Sequence, residues 1–92
     1  MNEKPVERSH VDKVEASGGR SVKMRPENEI GWPDRLDLYP IKNEAHRRIV
    51  AKYVHFVECK KPKGGRTASW QDRRQAEIRK LGYHVWTLEN RE

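Results

Sequence analysis

Apolar residues in this chain come in short, interrupted groups whose spacing switches between the helical and the strand period. From Val6 to Ala16, Glu7, Val11 and Val14 share a face by three-to-four spacing, which predicts a helix. Ser17-Gly18-Gly19 ends it. Ser21 to Met24 reads as a short strand and Pro26 to Gly31 as a loop. Leu36 to Tyr39 reads as a second strand, closed by Pro40. The turn before it holds Pro33, which fixes its own φ and restricts Trp32, so Asp34 leaves a stiff corner. Ile41 to Tyr53 fits two readings. One is a short helix capped by Asn43 and running through Ala51 with a wet, basic face; the other is a basic loop between strands.

Val54 to Lys60 is the clearest strand. The period of two puts Val54, Phe56, Glu58 and Lys60 on one face and His55, Val57 and Cys59 on the other. Cys59 is therefore expected to face packing, as a structural cysteine does. Pro62 to Arg66 is a glycine-containing loop. Ser69 is the expected helix cap, with Asp72 at the capping-box position. Trp70, Ile78 and Leu81 form an apolar stripe broadened by the stem of Arg74, and Gly82 stops the helix. Tyr83 to Leu88 reads as the last strand. A helix between two strands implies a crossover connection, right-handed by the usual rule. Trp32, Trp70 and Trp86 are expected in the core or a subunit interface.

Composition narrows the class. At 92 residues the chain is expected to form a single domain, 1–92, near the lower edge of independent stability. Its hydrophobic fraction of 34% leaves no room for a second core, and a partner subunit would help complete the first. Twenty Lys and Arg against 14 Asp and Glu give a formal charge of +6, which favours a polyanion such as nucleic acid. No run of eighteen apolar residues occurs, so no membrane partner is expected, and nothing resembling a signal peptide follows Met1. One cysteine excludes an internal disulfide framework and an all-cysteine zinc site, and a cytoplasmic setting fits best.

Two short segments carry candidate chemistry: Gly31-Trp32-Pro33-Asp34 and Glu58-Cys59-Lys60. Cutting a phosphodiester requires an activated water, neutralised phosphate oxygens and a stabilised leaving oxygen. A carboxylate-held metal with a nearby lysine can serve all three. Asp34 and Glu58 are the best candidate ligands, and hard oxygen donors suit Mg²⁺ or Mn²⁺. The Cys59 carbonyl is a further candidate donor. Lys60 shares the Glu58 face and is placed to reach a water or a phosphate oxygen. The plain alternative is a surface acid–lysine pair worth roughly 0–1 kcal/mol. His10, His46, His55 and His84 have no close metal spacing. The run Lys60-Lys61-Pro62-Lys63-Gly64-Gly65-Arg66 lacks Walker spacing. It suits phosphate-backbone contact through Lys61, Lys63 and Arg66, with a solvated turn as the alternative.

Gly31-Trp32-Pro33-Asp34-Arg35-Leu36, then Val54 to Lys60, then Pro62, Gly64-Gly65-Arg66 and Gln71 together resemble the VRR-Nuc family of the PD-(D/E)XK nuclease superfamily. The resemblance runs from about Glu7 to Leu88. It implies an α/β fold with a three-layer, restriction-endonuclease-like core, a mixed sheet flanked by helices. By motif, Asp34, Glu58 and Lys60 would be the metal-binding and catalytic residues, and Gln71 the glutamine early in the following helix. Glu7 would be the first-helix acid that supports the metal, and Arg35 would join the DNA contacts. The basic segment from Ile41 to Lys52 is longer than the short hairpin of the family pattern. Small stand-alone, phage-type members resemble Holliday junction resolvases, which implies a homodimer acting on branched DNA. The rival expectations are a non-catalytic DNA-binding module with a degenerate nuclease fold, and a small protein-binding protein exposing Trp70 or Trp86.

Overall fold

The computed structural model describes residues 4–27, 29–60 and 69–89. The fold is α/β, with element order α1 (Lys4–Ala16), β1 (Arg20–Lys23), β2 (Arg35–Leu38), α2 (Glu44–Tyr53), β3 (Phe56–Lys60), α3 (Ser69–Lys80) and β4 (Val85–Glu89). The chain forms two compact units, residues 1–40 and 41–92. Among the described residues the strands pair as two separate two-stranded sheets, where the sequence suggested one mixed sheet.

In the first unit α1 ends where the glycines predict. Gly18 N donates to Glu15 O and Gly19 N to Val14 O, which satisfies carbonyls of the last turn. β1 and β2 pair antiparallel, with Ser21 opposite Asp37 and Lys23 opposite Arg35. Met24 N donates to the Asp34 carbonyl at 2.8 Å, adding one rung beyond the strands. Val14 and Leu38 are buried here, and Gly19 lies against both Val14 and the Leu38 carbonyl, so the helix end closes onto the sheet.

In the second unit the ambiguous segment is a helix. Asn43 has extended backbone, and its side-chain oxygen accepts from Ala45 N at 2.8 Å and His46 N at 3.2 Å. No α2 residue is buried, so the cap, rather than an apolar stripe, is the stronger local determinant. Asn43→Ala is expected to cost about 1 kcal/mol, read as faster amide exchange in the first turn of α2. Unchanged exchange there would contradict the cap. Ile41 N donates to Leu81 O, tying the start of this unit to the end of α3.

β3 and β4 pair in parallel, Phe56 opposite Val85 through Lys60 opposite Glu89, with α3 as the crossover. Val85 is buried, and Phe56 meets Tyr83 edge-on at 5.9 Å. The opposite face carries His55, Val57 and Cys59 with His84, Trp86 and Leu88. Trp86 packs against His84 and His55, yet Val57, Trp86, Leu88 and Cys59 are all exposed. Cys59 thus faces away from Glu58 as the strand period requires, but toward open surface and not toward packing. Trp32, Trp70 and Trp86 are likewise exposed. Only three apolar side chains among the described residues are buried, too few to draw the tryptophans inside.

Candidate nuclease site

The sequence-derived site residues divide between the two units. Glu7, Asp34 and Arg35 belong to residues 1–40; Glu58, Cys59, Lys60 and Gln71 belong to residues 41–92. Lys61, Lys63 and Arg66 lie outside the described residues, as does the side chain of Lys60.

In the first unit Asp34 stands exposed just before β2, after Gly31, whose φ of +91° turns the chain where a side chain would be strained. Glu7, the fourth residue of α1, is engaged by Arg35: Nε donates to Oε2 at 2.8 Å, and Nη2 lies 2.8 Å from the same oxygen. Lys23 Nζ is 3.9 Å away. The Arg35 hydrogen bond holds the Glu7 carboxyl below its ordinary range, helped by the charges of Lys23, Arg35 and Arg25, against desolvation pulling the other way. The acid and the arginine named from the sequence therefore occupy each other. They border a hollow of about 500 Å³ along α1, where Lys4, Arg8 and Lys23 alternate with Asp12 and Glu15.

A second polar cluster in this unit was not legible as a site. Asp37 accepts from the Ser21 hydroxyl at 2.7 Å and from His10 Nε2 at 2.5 Å. Ser21 is buried, so Asp37 satisfies an otherwise orphaned hydroxyl and fastens α1 to the sheet. The serine meets the carboxylate and not the histidine, so the trio is no nucleophilic triad. Its only sequence signal is the strand register that sets Ser21 opposite Asp37.

The Ser21 hydrogen bond, then His10, lowers the Asp37 pKa against desolvation. A depressed native carboxyl stabilises the fold above its unfolded pKa, about 4. That contribution disappears as pH falls from there through the native value. Acid titration of wild type and Asp37→Ala, followed by circular dichroism, should therefore give stability curves that converge below about pH 4. Curves that stay parallel to pH 2 would contradict it.

In the second unit β3 and α3 create one hollow of about 230 Å³ lined by Phe56, Glu58, Trp70, Gln71, Gln75 and Ile78, among others. Glu58 is half-buried because it shares the strand face of Phe56, which turns toward α3. Gln71 reaches the same hollow from the first turn of α3, with Gln75 one turn on. Glu58 and Gln71 thus line the same hollow. Gln75 Nε2 is buried with no hydrogen-bond partner among the described residues, a cost of about 1–3 kcal/mol for a donor of this kind. The sequence analysis did not single out Gln75; its four-residue spacing from Gln71 is the only signal the sequence holds.

Charge is unevenly shared. Residues 41–92 hold 13 of the 20 Lys and Arg and 6 of the 14 Asp and Glu, a formal +7 against −1 for residues 1–40. The chain's formal positive charge is thus carried by residues 41–92.

Carboxylate, carbonyl and amide oxygens suit Mg²⁺ or Mn²⁺ in kind. Within either unit, among the described residues, no three His, Cys, Asp or Glu side chains gather into a metal-holding group. Mg²⁺ does not demand one, since it is commonly held by one or two carboxylates completed by water and substrate phosphate. No family model, curated protein or solved structure matches the chain. Among the described residues no helix is long and apolar enough to cross a membrane.

Proposed function

We propose that this protein is a Mg²⁺- or Mn²⁺-dependent endonuclease that hydrolyses phosphodiester bonds in branched DNA and works as a homodimer on a three-layer nuclease core. The observation that carries the reading is the β3–α3 hollow, which Glu58 and Gln71 both line in the strongly basic unit. Asp34 and Glu7 are enlisted by the motif resemblance alone. A divalent cation, when bound, neutralises phosphate charge and acidifies water. Glu58 and the Cys59 carbonyl, both in the second unit, would hold it. Lys60 orients or deprotonates the attacking water. The Gln71 amide orients Lys60, the water or a phosphate oxygen. Lys61, Lys63 and Arg66 grip the DNA backbone. Arg35 joins them only by exchanging its bond to Glu7.

The test is a cleavage panel of linear duplex, flap, splayed arm and four-way junction in Mg²⁺, Mn²⁺ and chelator. Metal-dependent cutting biased to branched forms supports the proposal. Salt-sensitive binding without cutting under any ion selects the degenerate DNA-binding module instead. One observation favours a protein-binding role: the exposed sheet face of Val57, Trp86 and Leu88. In the nuclease reading that face is the homodimer surface. Mass in solution separates a dimer from a monomer awaiting another partner.

A further inference from the structure

The β3–α3 hollow has features that metal chemistry leaves unused. Trp70 is 64% exposed at its rim. Phe56, Ile78 and the buried Val85 make its floor apolar. Arg74 stands at the same rim, bonded to Glu77 at 3.3 Å on the exposed helix surface. An exposed indole beside an apolar floor suits a flat aromatic ligand. The formal charge of +7 on residues 41–92 favours a ligand that is polyanionic outside the hollow.

The geometry points to a binding site for the unpaired base of a DNA strand, with Trp70 stacking on the base over the apolar floor and Arg74 facing the adjoining phosphate. A hollow of about 230 Å³ is large enough for one planar base. A base already unstacked at a branch point enters without the cost of breaking its pairing. The site rests on the nucleic-acid part of the proposed function and names what that function would recognise: an unpaired nucleotide beside the scissile phosphate.

Two probes isolate it: a short single strand carrying 2-aminopurine, and the same strand with that position abasic. Both are titrated into the full chain in chelator, so no cleavage occurs. Trp70→Leu should weaken the base-bearing strand by about tenfold and the abasic strand by less than about twofold. Trp70→Tyr should restore most of the loss, since tyrosine also stacks. Gln75→Leu removes an unpaired buried donor and should leave thermal stability unchanged or raised, so it serves as a control that keeps the hollow's packing intact. Equal losses on both strands, or no loss in Trp70→Leu, would overturn the site. Cleavage of branched DNA, measured separately in Mn²⁺, tells the two failures apart. Cutting with no base-dependent binding rejects only this site; base-dependent binding with no cutting rejects only the nuclease.

Discussion

Glu58→Gln and Lys60→Ala should each lower cleavage of branched DNA by at least about a hundredfold, equivalent to about 3 kcal/mol of transition-state stabilisation. The glutamine keeps the shape of the half-buried glutamate and removes its charge, so the β3–α3 packing should survive. Binding should move in the other direction for Glu58→Gln. A carboxylate repels the phosphate it works beside, and its removal should leave DNA affinity equal or tighter. Lys60→Ala should cost some affinity through one lost phosphate contact, with a slightly shallower salt dependence. This split between cutting and holding separates a catalytic role from a structural one. Undiminished cleavage in both variants would remove the assignment.

Gly82→Ala should destabilise the second unit by about 2–4 kcal/mol. Gly82 adopts φ of +103°, which strains any residue with a Cβ. An added Cβ would also sit 2.7 Å from the Ile41 carbonyl oxygen and 2.7 Å from Arg47 Nε. The arginine can shift. The carbonyl cannot shift freely, because Ile41 is held by its bond to Leu81 and accepts from Arg47. In a domain this small the loss corresponds to a melting point lower by roughly 10–20 °C. A change within about 2 °C would mean that the Ile41–Gly82 contact does not constrain the unit. Such a result would leave the site proposals untouched, since Gly82 lines neither hollow.

The elements were largely legible because their punctuation is local. Gly18-Gly19 closes α1, Pro40 follows β2, and Gly82 ends α3, each within a residue or two of its sequence position. α2 was half legible: none of its residues is buried, and the Asn43 cap was the signal that distinguished it from a loop. The parallel pairing of β3 and β4 followed from the helix between them. Sheet partnership did not follow, since pattern alone cannot say which strand edges meet. Residue type also misled in part on burial. The tryptophans were expected in the core or a subunit interface, and within the single chain all three lie outside the core.

Long-range polar pairs were the least legible part. Glu7 and Arg35 lie 28 residues apart, and His10 and Asp37 lie 27 apart. Neither pair has a spacing rule, because only the folded β1–β2 hairpin brings them to α1. That Glu58 and Gln71 line one hollow was readable only through the motif order, and the orphaned Gln75 amide only from the packed structure.

The account depends on Glu58 presenting a carboxylate to a divalent ion. Electron paramagnetic resonance of free Mn²⁺, titrated into wild type and Glu58→Gln without DNA, tests that directly. Saturable Mn²⁺ uptake by the wild type, weakened about tenfold or more by the loss of one charged ligand, is the expected result. Identical uptake curves for the two proteins, or none in either, would contradict it.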